Sequence, residues 1–179
     1  MVTQNRSSLV WHSQHQDNPI LNDWLFNQDS LTRRLIWLSQ DHFSIRVVNE
    51  GWQILRNDEY SVLQASQQEE GWVREVFLCG HNTPWVYARS VATKSSLERA
   101  GFNMAELGSR SLGELLFSNH AFARGAIEIC SLDPSVLPSA VLPYTLAHDS
   151  LWARRSCFSH DRLNILVAEA FLPAFWEYA

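Results

Sequence analysis

Glu169 sits in the run Ile165-Leu166-Val167-Ala168-Glu169-Ala170-Phe171-Leu172, where strand alternation puts it on the face shared by Ile165, Val167 and Phe171. A carboxylate there is paired or protonated, because removing one partner of a buried ion pair costs about 3–5 kcal/mol. A cationic or hydrogen-bonding partner is therefore expected; the alternative is an exposed edge or a solvated face. Arg74 poses the mirror-image question, since Trp72, Val76 and Leu78 share its strand face. If the following turn holds the four residues 80–83, Cys79 pairs with Pro84 and Arg74 falls opposite Arg89. Two guanidinium groups so placed repel unless an anion sits between them. If the turn is one residue longer, Arg89 opposes Glu75 and a cross-strand ion pair of nearly neutral energy accounts for it.

Other chemistries find little support. His12 and His15 have a spacing that could hold metal on a helix, but their segment is polar and has no Cys or carboxylate constellation behind it. A closed metal site needs about four ligands of matching geometry. No glycine-rich phosphate loop, nucleotide fingerprint or Gly-x-Ser-x-Gly elbow is present, and the seven glycines are spread thinly. Cys79, Cys130 and Cys157 are odd in number, widely spaced and set in apolar surroundings. That suits reduced, buried thiols of a cytosolic protein better than a disulfide framework. What survives is a site of arginine and glutamate that uses neither metal nor nucleotide cofactor.

The elements that must position these residues follow from periodicity. Residues 1–18 are mostly polar and read as a loosely attached arm, with residues 19–179 as one domain. Ile20, Leu21, Trp24 and Leu25 recur at helical spacing, as do Leu31, Leu35 and Leu38 after the N-cap residue Ser30, so the pair reads as a helical hairpin. Residues 44–55 are strand-like, with a bulge or turn expected at Glu50-Gly51. Residues 57–70 are polar and read as a loop. Residues 71–79 and 85–91 flank a Gly/Asn/Pro turn and form a β-hairpin. A helix is predicted over 97–107, capped by Ser95 or Ser96 with Gly101 as a weak point. A second opens at Ser111, where Ser111 and Glu114 have capping-box spacing. A short strand over 126–132 is followed by the proline-bearing loop 133–150. Residues 152–158 and 163–172 then form a second hairpin across 159–162, which Pro173 ends. Strands paired by short turns with helices gathered between them predict an α+β fold, an antiparallel β-sheet with helices on one side.

Composition narrows the function classes further. The chain has 179 residues and is 46% hydrophobic, enough for one domain with a sizeable core. Fourteen Lys plus Arg against nineteen Asp plus Glu leave a net charge of −5, which provides no basic field for nucleic acid or an anionic membrane. Lys94 is the single lysine, so the positive charge is almost all arginine, the side chain suited to bidentate carboxylate recognition. No secretory leader is expected at Met1–Ser8, and no apolar run reaches the roughly 18 residues of a membrane span. A cytoplasmic protein, without membrane insertion and acting as a monomer, is expected.

The segments that carry these residues also carry a resemblance. In order along the chain, Asp23-Trp24-Leu25, Asp29-Ser30-Leu31-Thr32-Arg33-Arg34, the run 73–79, Pro84-Trp85 through Val91, Leu112-Gly113-Glu114-Leu115-Leu116-Phe117, Ile127-Glu128-Ile129, Trp152 through Ser156, and Glu169 to Pro173 resemble the chorismate pyruvate-lyase family. No single segment is diagnostic, but their joint occurrence in order is specific. The resemblance implies helix-turn flaps over a buried ligand pocket and the cleavage of chorismate into 4-hydroxybenzoate and pyruvate, with no cofactor and no metal, at the head of ubiquinone synthesis. It further implies that Arg74 binds the ring carboxylate, that Glu169 meets the ring's oxygen substituent, that Leu31 and Leu112 lie on the flaps, and that Arg89 stands near the ligand path. Product held under the flaps would inhibit and limit turnover. A rival expectation is a non-catalytic sensor of aromatic carboxylates, since the family fold resembles effector-binding domains of transcription regulators. The roughly 20 residues ahead of the first helix are expected to be too few for a helix-turn-helix. A structural or adaptor role would follow only if Arg74 and Glu169 were exposed.

Overall fold

A computed structural model describes residues 9–101, 112–117, 122–145 and 150–179. Its frame is one antiparallel sheet of β1 (Phe43–Ile54), β2 (Glu70–Gly80), β3 (Thr83–Thr93), β4 (Ala123–Arg124), β5 (Glu128–Leu132), β6 (Leu151–His160) and β7 (Leu163–Phe171). The strand order is β1-β2-β3-β7-β6-β4, with β5 also paired to β6. The helices are α1 (Pro19–Leu25), α2 (Leu31–Leu38), α3 (Asn57–Leu63), α4 (Lys94–Ala100) and α5 (Leu112–Phe117). The α+β class expected from the strand pairs is the architecture found, but the helices are not all on one side: α2 and α5 cover one face, while α3 packs through Leu63 on Val73, Val91 and Leu166 of the other.

Two tight turns set the register that matters for the site. His81 and Asn82 both adopt positive φ, 50° and 63°, the left-handed pair whose twist matches a two-residue hairpin. Cys79 pairs with Pro84, but a bulge follows, so Leu78 pairs with Val86, Glu75 with Arg89 and Arg74 with Ser90. The outcome combines the Cys79–Pro84 pairing of one sequence alternative with the Glu75–Arg89 facing of the other, because the extra residue is taken up by the bulge rather than the turn. In the second hairpin the ladder continues to His160 opposite Leu163, two pairs further than the turn 159–162 predicts. That closer turn, with Asp161 at φ 50°, places Arg154 opposite Glu169.

Several other expectations shift in detail. The irregularity in β1 lies between Val47 and Asn49 rather than at Glu50-Gly51, and it brings Glu50 opposite Arg74. Residues 57–63, read as loop, are helical: the backbone N–H of Arg56 donates to Glu59 at 2.8 Å, and Asp58 and Glu59 occupy the first turn, where carboxylates favour the positive helix end. With only a few apolar residues in seven, this helix has too little periodicity to be recognised. Its Leu63 packs with Leu55, Val73, Val91 and Leu166. The cap of α4 is Thr93, whose hydroxyl accepts from Ser96 N–H at 3.1 Å, and the helix ends at Gly101, where φ is 62°. The remainder of the predicted 97–107 helix and the Ser111 capping box lie outside the described residues. The stretch read as a loose arm is fastened over residues 9–18: His12 and Ile129 exchange backbone hydrogen bonds of 3.0 and 2.7 Å, and Leu9 and Trp11 pack against a buried cluster. The loop after β5 contains 3₁₀ turns at Pro134–Val136 and Leu142–Tyr144 and buries Leu137 and Val141. Among the described residues no helix is long and apolar enough to cross a membrane. Cys79 and Cys130 are buried, Cys157 is half-buried, and all three are free thiols.

Candidate active site

Alternation along five strands directs one set of side chains into a common pocket. Ile45 on β1, Arg74, Val76 and Leu78 on β2, Ala88 and Ser90 on β3, Val167 and Glu169 on β7, and Arg154 and Phe158 on β6 all line it. The ladder arranges them in two rows across the sheet. Val76, Ala88, Glu169 and Arg154 are successive partners, and so are Glu50, Arg74, Ser90 and Val167. Arg74 and Glu169 are therefore two strands and one pair step apart, about 12 Å between Cα atoms at ordinary sheet spacings. The residues between them on β3 are the small Ala88 and Ser90, which leave the floor open.

Helical segments complete the enclosure. Ser30, Leu31 and Thr32 at the amino end of α2, and Leu112, Leu116 and Phe117 of α5, form the opposite wall. Leu31 and Leu112 are buried there. Ser30 fixes the start of α2 by accepting from Arg33 N–H at 3.4 Å, as an N-cap serine does. The resulting space is apolar in its middle and charged at its ends.

The charged groups have defined partners. Arg74 is 2% exposed and its Nη1 donates to Glu50 Oε1 at 2.9 Å. The cation that an apolar strand face demands of Glu169 is Arg154, whose Nε donates to Glu169 Oε2 at 2.6 Å. Arg154 is 1% exposed and is anchored in turn by Nη1 donation to the carbonyls of Trp24 at 2.9 Å and Asn27 at 3.2 Å. Glu169 Oε1 has no hydrogen bond among the described residues, so the carboxylate keeps one oxygen for a ligand. Arg124 on β4 donates through Nε to Ser156 Oγ at 2.9 Å and through Nη1 to the carbonyls of Asn27 and Gln28 at 3.2 and 3.0 Å. Burial, and then the nearby charge of Arg154, push its guanidinium down to about 10, against the opposing pull of Glu169 and Asp29. Arg124 and Arg154 thus tie the connector between α1 and α2 to the sheet from the pocket side.

Arg89 is the sequence candidate that the fold sends elsewhere. It alternates with Ala88 and Ser90, so its side chain leaves β3 on the other face and does not line the pocket. There it makes a two-pronged pair with Glu59, 2.7 and 3.1 Å, and a third bond to Glu75 at 3.0 Å. Burial alone would raise the Glu59 carboxyl, but the hydrogen bonds and charge of Arg89, then the charge of Arg56, hold it below its ordinary value. The Tyr87 hydroxyl donates to Glu75 at 2.5 Å, and burial followed by the charge of Glu75 raises its pKa. The ligand-path placement of Arg89 is corrected to a buried structural pair, set by its strand parity.

Arg154 and Arg124 are the charged pocket residues that sequence reasoning missed. A two-residue turn at Asp161-Arg162 was the available signal for Arg154, since it alone aligns that residue with Glu169. Nothing local marks Arg124, because β4 is two residues long. Among the described residues no group of three or more His, Cys, Asp or Glu side chains could hold a metal.

Comparison with known proteins bears on this arrangement. The family model for chorismate lyase matches residues 6–179. A probable chorismate pyruvate-lyase of Pseudomonas putida KT2440 is 55% identical over 163 residues, covering 91% of this chain and 85% of that one. A protein of the same name from Pseudomonas aeruginosa UCBPP-PA14 is 52% identical over 162 residues, covering 90% and 88%. Among solved structures, a GntR-family transcriptional regulator from Bacillus cereus superposes with a TM-score of 0.58 at 9% identity, covering 77% of this chain and 96% of that one. The effector-binding domain of the Bacillus subtilis trehalose repressor gives 0.54 at 10% identity, covering 72% and 89%. At these identities the structural likeness extends to the fold alone.

Proposed function

The chain belongs to the chorismate lyase family, and from that premise we propose that the pocket over β2, β3 and β7 is where chorismate loses pyruvate. The activity is that of a carbon–oxygen lyase. The ether bond at ring C3 breaks, C4 gives up its proton, and the departing enolpyruvate becomes pyruvate by taking a proton at its methylene carbon. The ring left behind is aromatic 4-hydroxybenzoate, a precursor for ubiquinone. Aromatisation drives the reaction, so the protein supplies a reactive substrate conformer, exclusion of water and help with developing charge. No step calls for a metal or redox cofactor.

The observation that carries this reading is an arginine and a glutamate facing one enclosed floor of small residues. Arg74 binds the ring carboxylate, for which a planar guanidinium gives orientation as well as charge. Glu169 meets the ring hydroxyl at the other end through Oε1, while Arg154 holds Oε2. Leu31 and Leu112 close over the ring, and opening of these helical walls to release product limits turnover. Each residue invoked comes from one chain, so a monomer suffices. A cytoplasmic location belongs to the same reading, supported by three thiols that remain unpaired.

The test is to incubate the purified protein with chorismate in the presence of EDTA and follow pyruvate and 4-hydroxybenzoate by chromatography. Equal yields of both are expected. Glu169→Gln should lower kcat by about 10²-fold or more, the range for a group acting on reacting atoms, and Arg74→Gln should weaken 4-hydroxybenzoate binding. Wild-type kinetics in either variant would remove that residue from its role. Folded protein that binds 4-hydroxybenzoate but leaves chorismate intact would turn the reading to a sensor.

A further inference from the structure

Of the three arginines that line the pocket, two already face carboxylates: Arg74 is bonded to Glu50 and Arg154 to Glu169. Arg124 differs. Its hydrogen bonds go to a hydroxyl and to backbone carbonyls, and among the described residues no carboxylate lies within 4.0 Å of it. Among the described residues Nη2 makes no hydrogen bond. The side chain is half-buried, packed over the rings of Phe158 and Phe117 at 5.2 and 5.9 Å. Its neighbour in charge is another cation, Arg154, which works against it. A partly desolvated cation beside a second cation, held by neutral acceptors alone, is a poor arrangement for stability and a good one for an anion.

We propose that Arg124 binds the enolpyruvyl carboxylate of chorismate, the second of the substrate's two carboxylates. The assignment rests on the chorismate lyase reading and deepens it. In chorismate the enolpyruvyl ether leaves ring C3 and the hydroxyl leaves C4, so the second carboxylate projects near the hydroxyl end of the ring, remote from the ring carboxylate at C1. Arg124 stands at the matching end of the pocket: it bonds Ser156, which neighbours Val167 in the ladder, and feels the charge of Glu169. When the C3–O bond breaks, the electron pair goes to the oxygen of the enolpyruvate, whose carboxylate Arg124 already holds. The cation thus serves the leaving group as its charge grows, and it has nothing to hold in 4-hydroxybenzoate, which lacks that carboxylate.

This difference between substrate and product makes the role separable from anchoring of the α1–α2 connector. Chorismate kinetics and 4-hydroxybenzoate affinity should be measured for the wild type, Arg124→Gln and Arg124→Lys, with circular dichroism melts as the check on folding. Arg124→Gln should lose about 10²-fold in kcat/KM for chorismate while its Kd for 4-hydroxybenzoate stays within about threefold. Arg124→Lys should recover part of the loss, since a point charge replaces the planar fork. Equal losses in kcat/KM and product affinity would make Arg124 an anchor for the connector and overturn the proposal. Unchanged kcat/KM in Arg124→Gln would overturn it too. Failure of the wild type to turn over chorismate would defeat the parent reading instead.

Discussion

Replacing Arg89 by methionine should destabilise the protein by about 3–5 kcal/mol, the range for removing one partner of a buried pair, while leaving the pocket's chemistry in place. Arg89 is 6% exposed and Glu59 1%, so the substitution takes from two buried carboxylates, Glu59 and Glu75, the guanidinium with which they share three hydrogen bonds. With an unfolding entropy of roughly 2 cal/mol/K per residue over 179 residues, that loss lowers Tm by about 8–13 °C. The sign of its pH dependence follows from Glu59. In the wild type its pKa lies below the ordinary 4.5, so the pair contributes stability that is present above that value and lost as pH falls through the depressed one. In the variant burial acts with less opposition and raises the same carboxyl, so the penalty is full at neutral pH and fades as pH drops toward 4.5. The gap in Tm between wild type and variant should therefore narrow from pH 7 to about pH 5. Differential scanning calorimetry across that range reads the gap, and chorismate turnover below the melting range reads the pocket. A variant with wild-type Tm and no activity would refute the reasoning and restore Arg89 to the ligand path.

Ala88→Leu places a large side chain on the floor between Arg74 and Glu169, the gap that Ala88 and Ser90 leave open. It should abolish 4-hydroxybenzoate binding by calorimetry with Tm changed by only a few degrees, and retained binding would move the ligand off this floor. Burial raises all three thiols, Cys130 to about 12. Native protein at pH 8 should therefore react slowly with a disulfide reagent, and all three should react at once in denaturant; rapid labelling of Cys130 in native protein would contradict its burial.

Much of the fold was legible because its signals are local. The hairpin ladders show in alternation, α2 in Ser30 followed by leucines at helical spacing, and Glu169 in the conflict between a carboxylate and its apolar strand. That conflict called for a cationic or hydrogen-bonding partner or else an exposed edge, and the fold supplies the partner in Arg154. The helix at Asn57–Leu63 escaped because its stability comes from carboxylates turned toward arginines far along the chain, which leaves too few apolar residues to form a period.

Register and facing belonged to the tertiary structure. A strand slipped by one residue exchanges its two faces, and the decisive shifts here are of one residue in the first hairpin and two in the second. The bulge after Leu78 sets Glu75 opposite Arg89, and a two-residue turn at Asp161-Arg162 sets Arg154 opposite Glu169. Sequence could nominate Arg74, Arg89 and Glu169 as charges needing partners, since the need follows from residue type and strand period. Which partners they meet depends on segments 15 to 30 residues apart, as Arg154 with Glu169 and Glu59 with Arg89 illustrate. Arg124 enters the pocket from a two-residue strand that no local pattern announces, because only the closed fold brings it there.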